Sequence, residues 1–81
     1  MSIDDLPPGQ PHTVDGRGLL PPEPMELVLD ALNQLPEGDH VLFLIHVEPR
    51  PLFHVLRDNG FRHCCDQAPE GHFEVRIWHA A

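Results

Sequence analysis

The chain has 81 residues, which is enough for one small domain with a single modest hydrophobic core. Thirteen acidic residues against five Lys and Arg give a formal net charge of −8. This charge argues against nucleic acid and anionic membrane surfaces as partners, and it is compatible with a basic partner protein. No apolar run approaches the length of a membrane-spanning helix, and the first residues do not resemble a signal peptide, so we expect a cytoplasmic protein.

The first half of the chain predicts a tail, a strand and a helix. Residues 1–12 are rich in Pro and Asp and predict a disordered tail, ahead of a single domain over residues 13–81. A short strand is expected over Thr13–Asp15, and Gly16 and Gly18 supply backbone freedom after it. A helix is expected over Pro22–Leu35, because Pro is favoured in a first helical turn and the apolar residues then recur at helical spacing.

The second half predicts a strand, a helix and a hairpin. The apolar run His40–His46 does not alternate, which is typical of a central strand covered on both faces for part of its length. Pro49 opens a second helix that reaches Asn59. The stretches 61–67 and 73–79 predict two strands joined by a turn that contains Pro and Gly. Alternation in the first of them places Cys65 inward and Cys64 outward.

This order of elements predicts an α+β two-layer sandwich. The order is β-α-β-α-β-β, with a mixed four-stranded sheet and both helices on one face. The other face of the sheet is then uncovered, and Trp78 is expected there as an exposed anchor for a protein contact. The alternative is that Trp78 folds onto its own sheet.

One group of polar residues is expected where the first two strands end. Asp15, Arg17, Glu23 and Arg50 are the candidate ligand-binding residues there, because a helix N-terminus and strand ends are places where ligands bind. His46, Glu48 and His54 are candidate metal ligands at the same corner, with a transition metal as the cofactor. The alternatives are that Asp15 and Arg17 only fix the turn, that Glu23 only caps the helix, and that the His residues have no ligand.

Cys64 and Cys65 are adjacent, so a disulfide between them would be strained and we expect free thiols. They form a second group with His63, His72 and Asp66, which could serve as a soft-metal or redox site. The alternative is that an inward Cys acts as a small hydrophobic residue.

The segment from Asp15 to Gly38 resembles the TusA/SirA family of small bacterial sulfur carriers. The resemblance rests on Asp-x-x-Gly-Leu-x-x-Pro-x-Pro before an amphipathic helix, and extends in the order of elements from Thr13 to the C-terminus. In that family a Cys-Pro-x-Pro motif holds a persulfide-carrying Cys, whereas this chain has Pro21 at the Cys position. The chain is most similar to a branch of uncharacterised small proteins that lack this Cys and carry a segment like Glu48-Pro49-Arg50-Pro51-Leu52.

Three functions are compatible with this sequence. The first is a non-enzymatic accessory module that docks on larger proteins in sulfur, metal or redox metabolism, either as a monomer or as a weak homodimer. The second is a metal- or small-ligand-binding protein. The third is a sulfurtransferase that uses Cys64, although a strand thiol lacks the helix N-terminus that lowers a thiol pKa. Ser2 is the single Ser, there is no Tyr and no phosphate-binding loop, so no catalytic residue is predicted.

Overall fold

The computed structural model describes residues 6–80 and contains six elements of secondary structure. They are β1 (Pro11–Asp15), α1 (Glu23–Asn33), β2 (His40–Ile45), α2 (Arg50–Asp58), β3 (Phe61–Gln67) and β4 (Phe73–His79). They form one mixed four-stranded sheet with two helices, which confirms the α+β class and the order predicted from the sequence.

The strands lie in the order β1-β2-β4-β3 across the sheet. β1 runs parallel to β2, and β4 runs antiparallel to both β2 and β3. β2 is therefore a central strand, as its apolar run predicts. Because β2 and β3 are both antiparallel to β4, they point in the same direction, and the β3–β4 hairpin lies at the sheet edge where β1 and β2 end.

The core lies between the helices and the inward-facing residues of β2 and β4. Val41, Phe43 and Ile45 are buried on β2, and the register places them beside Ile77, Val75 and Phe73 of β4. Val28 and Leu32 from α1 and Leu52 and Leu56 from α2 complete this core. Cys65 packs against it and Cys64 lies on the opposite parity of β3, so the predicted orientation of the two thiols is confirmed.

Both helices are shorter than predicted. Pro22 is the N-cap of α1 and Pro24 lies in its first turn, in agreement with the predicted role of these prolines. The helix ends at Asn33 because the next two N–H groups bond to carbonyls only three residues back: Gln34 to Ala31 and Leu35 to Leu32. α2 likewise begins at Arg50 and ends at Asp58, one residue inside the predicted range at each end.

β1 begins two residues earlier than predicted. Pro11 and His12 belong to this strand, and the carboxylate of Asp39 holds its start. One oxygen of Asp39 accepts the Gln10 N–H at 3.0 Å, and the other lies 2.8 Å from Nε2 of His12. Gly9 also donates its N–H to the Gly38 carbonyl at 2.9 Å. Residues 1–5 of the predicted tail lie outside the described residues, and the mobility of the tail stays a prediction.

Trp78 is buried, so the prediction that it is an exposed anchor is wrong. It has 2% of its surface exposed, although it lies on the sheet face away from the helices. The alternation gave the face of the sheet correctly but not the burial, and Pro7 from the chain before β1 lines the same cavity as Trp78. His40 is buried on this face as well, and burial lowers its pKa, which favours the neutral ring.

Neither helix is long and apolar enough to cross a membrane, within the residues that the structure describes.

We predict that Trp78→Ala destabilises the fold by about 3 kcal/mol or more, because it removes a large buried side chain and leaves a cavity. Urea denaturation measures the change. Leu27→Ala is the control, since Leu27 is 42% exposed on α1 and its truncation should change the free energy of unfolding by less than about 1 kcal/mol. Equal midpoints for the two variants would contradict the burial of Trp78.

Candidate functional site

Two loops meet at the edge of the sheet where the parallel strands β1 and β2 end. Gly16 donates its N–H to the Leu44 carbonyl at 2.7 Å, which extends the contact between the strands by one residue. Gly18, in a left-handed conformation with φ of 79°, then donates its N–H to Nε2 of His46 at 3.2 Å. We call residues 15–23 and 46–50 the loop corner. His46 therefore contacts the loop that leads into α1.

Nε2 of His46 accepts the hydrogen bond from the Gly18 N–H. The Nε2 lone pair is engaged with the backbone, and a metal ion at this atom would have to displace the Gly18 N–H.

Asp15 and Arg17 form a closed pair within the first loop. Nε and Nη2 of Arg17 donate to the two carboxylate oxygens of Asp15 at 2.9 and 3.0 Å, and the Arg17 backbone N–H adds a third bond at 3.0 Å. The side-chain bonds are the largest cause that lowers the pKa of Asp15 to about 2, and the backbone bond is the next. The same carboxylate raises the pKa of Arg17. Both residues are exposed, so the pair mainly fixes the shape of the turn.

A second closed pair lies in the other loop. Nε of Arg50 donates to Oε1 of Glu48 at 2.6 Å, while the Arg50 side chain remains 82% exposed. Both arginines of the loop corner are thus neutralised by carboxylates of their own loops. Glu23, which is exposed in the first turn of α1, has no ion pair among the described residues. The corner therefore offers an unpaired acid and no unpaired Arg, which disfavours an anionic ligand.

The two most exposed large hydrophobic side chains of the described chain lie in this corner, and sequence reasoning missed both. Leu20 is 80% exposed in the first loop, and Val47 is 64% exposed in the second. Neither belongs to a periodic pattern, since Leu20 precedes the first turn of α1 and Val47 follows the end of β2. The signal available in the sequence is an apolar residue placed between turn-forming residues, where no core can cover it.

The structure brings some of the predicted site residues together and leaves others apart. Asp15, Arg17 and His46 are joined through the first loop, and Glu48 and Arg50 form the second pair. His54 is exposed in α2. Across residues 6–80, no group of three or more His, Cys, Asp or Glu side chains is placed to hold a metal ion. His46, Glu48 and His54 therefore do not form a preformed site, and metal binding by them stays a prediction.

The thiols are free and partly buried on β3. Burial is the largest cause that raises the pKa of both Cys64 and Cys65, and Asp66 raises the pKa of Cys64 further. His63 stacks on Phe53 with ring centroids 4.4 Å apart, and burial lowers its pKa. These surroundings disfavour a thiolate, whereas a nucleophilic Cys needs one.

Two cavities lie away from the loop corner. The first, of about 570 Å³, lies between Pro7, the turn before β2 and the far ends of β3 and β4. The second, of about 490 Å³, lies between α1 and α2. Neither cavity is lined by a residue of the loop corner.

A comparison with known protein families identifies the family of this chain. Residues 13–79 match the family described as uncharacterized conserved protein (DUF2249). The chain belongs to the DUF2249 family. The match covers β1 from Thr13 through β4, and so includes the whole loop corner of this DUF2249 domain. Comparisons with curated proteins and with solved structures found no match.

We predict that His46→Ala speeds hydrogen exchange of the Gly18 amide by about fivefold, which corresponds to the loss of about 1 kcal/mol from one hydrogen bond. Exchange measured by NMR on the DUF2249 domain tests this. His54→Ala removes a different exposed His and should leave the Gly18 rate unchanged. An unchanged rate in the His46 variant would show that the two loops are not tied by this bond.

We predict that an NMR titration of the Asp15 carboxyl gives a pKa of about 2. In Arg17→Gln the pKa should rise but stay below 3.8, because the backbone N–H of residue 17 still donates to the carboxylate. The folded pKa is below the unfolded one, so the stabilisation is complete above the unfolded pKa and is lost as pH falls through about 2. An Asp15 pKa near 3.8 in the parent chain would contradict the closed pair.

Proposed function

We propose that this domain is a non-enzymatic protein-docking module, and that the loop corner is its docking surface. The observation that carries the proposal is the exposure of Leu20 and Val47 on two neighbouring loops that the Gly18–His46 bond ties together. Exposed apolar side chains held on ordered loops and surrounded by polar groups are typical of a protein contact.

The electrostatics of the corner indicate the chemistry of the partner. Arg17 and Arg50 already have carboxylate partners, whereas Glu23 and Glu26 in the first turn of α1 have no ion pair among the described residues. The chain as a whole carries a net charge of −8. These features favour a partner protein with an apolar contact patch and basic residues at its rim.

The resemblance to TusA/SirA sulfur carriers supports the same proposal. The Pro-x-Pro helix start, Pro22-Glu23-Pro24, is retained, while Pro21 stands where the carriers have their Cys. A chain that keeps this helix start without the thiol suits an accessory role beside sulfur, metal or redox enzymes. The proposal therefore assigns docking, and no group transfer, to the corner.

Two other functions have less support. Metal binding at His46 would compete with the Gly18 N–H for the same nitrogen lone pair. Sulfur transfer by Cys64 would need a thiolate on a strand where burial raises the pKa of the thiol.

The test is affinity capture from native cell extract with the parent chain and a Leu20→Asp/Val47→Asp variant, followed by quantitative mass spectrometry. We expect the variant to lose the captured partner by about tenfold or more, because truncating an apolar anchor and adding charge weakens such contacts strongly. Both side chains are exposed, so the variant should keep its fold, which circular dichroism verifies.

Pro8→Asp is the matched control. Pro8 is exposed and precedes β1, so it lies at the opposite end of the sheet from the loop corner. This variant should capture the partner as the parent does. If the folded Leu20→Asp/Val47→Asp variant captures the same proteins in the same amounts, the loop corner is not the docking surface.

A further inference from the structure

Acidic residues on the outer surface of α1 match basic residues on the outer surface of α2 in position. The exposed ionisable residues of α1 are Glu23, Glu26 and Asp30, and this helix contains no Lys or Arg. On α2 the exposed residues Arg50, His54 and Arg57 follow the same spacing to within one residue, counted from each helix start. We call these two rows the acidic stripe and the basic stripe. Asp58 adds one acid at the end of α2.

A groove lined mainly by apolar side chains separates the two stripes. Leu29 and Leu32 of α1 lie on one side and Val55 and Leu56 of α2 on the other, with Asn33, Asn59 and His79 also in the lining. The groove has a volume of about 490 Å³ and reaches down to the sheet at Phe61. Leu27 adds an apolar side chain, 42% exposed, on the outer side of α1. The helical layer therefore has an apolar centre with an acidic row on one side and a basic row on the other.

The two helices point in the same direction. α1 connects the end of β1 to the start of β2, and α2 connects the end of β2 to the start of β3. These three strands share one direction, so both helices run back from the loop-corner edge of the sheet. Consequently the two stripes begin at the same end of the molecule.

We propose that a second copy of this chain covers the helical layer, with the two-fold axis parallel to the helices. Rotation about this axis exchanges the two sides of the layer but keeps the direction of each helix. The acidic stripe of one copy then faces the basic stripe of the other, twice in each dimer, and the two apolar grooves meet at the centre. A two-fold axis perpendicular to the helices would instead place each stripe against the same stripe of the second copy.

Charge complementarity selects a second copy over an unrelated partner. A uniformly basic protein would be repelled by Arg57, and a uniformly acidic one by the three carboxylates of α1. A complementary surface needs an acidic row on one side of an apolar centre and a basic row on the other, with the same spacing along each row. This chain itself has such a surface. Leu20 and Val47 lie in the loops before the two helices and belong to neither stripe, whereas Glu23 and Arg50 of the loop corner would face the second copy.

The decisive experiment uses two variants, each with one reversed charge. Each variant should dimerise poorly alone, and the two should associate with each other. Asp30→Arg places like charge against Arg57 of the second copy, and Arg57→Asp places like charge against Asp30. In a mixture of the two variants, a heterodimer has one native pair and one reversed pair, and both are attractive. Sedimentation equilibrium with reduced thiols measures the association, and circular dichroism verifies the fold of each variant.

We expect the parent to dimerise and each single variant to have a dissociation constant at least about tenfold weaker. The equimolar mixture should recover to within about threefold of the parent, since both pairs are again opposite in sign. Glu70→Arg is the control, because it makes the same charge change as Asp30→Arg on the exposed β3–β4 turn and should dimerise as the parent does.

Three results would overturn the proposal. One is a parent that remains monomeric up to about 1 mM, which would leave the helical layer open to solvent or to another protein. The second is a pair of folded single variants that dimerise as the parent does. The third is a mixture that associates no better than the single variants. This result would exclude an interface in which α1 of one copy faces α2 of the other. None of these results bears on the loop corner, whose test uses different residues.

Discussion

The close approach of Gly16 to β2 is the constraint on which the loop corner depends. Its N–H bonds to the Leu44 carbonyl, and a Cβ at this position would lie 2.9 Å from Cε1 of Phe43 and 3.1 Å from Cδ1 of Ile45. The first distance is shorter than real Cβ contacts and the second is tighter than most, so a larger residue here would force the side chains of Phe43 and Ile45 to move. The constraint on this glycine is space and not backbone angle. The first loop therefore leaves β1 directly over the core, which brings Gly18 within reach of His46.

The loop corner uses its polar groups internally. Asp15 with Arg17 and Glu48 with Arg50 are local pairs, and His46 accepts a backbone hydrogen bond. Groups that are already paired shape a surface more than they bind ligands, because a ligand would have to replace a bond that exists. What remains available at the corner is apolar area at Leu20 and Val47 and negative charge on α1. This combination is suited to a macromolecular contact rather than to a small anion.

Much of the fold could be predicted from the sequence, because it depends on local patterns. Alternation gave the ranges of β3 and β4 and the faces of both cysteines, and the prolines marked the helix starts. The start of β1 could not be predicted, since it depends on Asp39, which is 27 residues from His12 in the chain. The prediction that Trp78 is exposed was wrong for a related reason. Alternation assigns a side chain to one face of the sheet but does not indicate whether a distant segment covers that face. Leu20 and Val47 were missed because loop residues belong to no period.

The buried Trp78 is an intrinsic fluorescence probe of this molecule. The chain contains one Trp and no Tyr, so its ultraviolet fluorescence comes from a single ring. Trp78 lines the same cavity as Pro7, and the bonds from Gly9 and Gln10 to Gly38 and Asp39 anchor the segment that contains Pro7. Emission wavelength and quenching by solutes therefore report on whether this segment is in place. Detachment of the segment would change the signal while the four-stranded sheet stays intact, which separates a local opening from global unfolding.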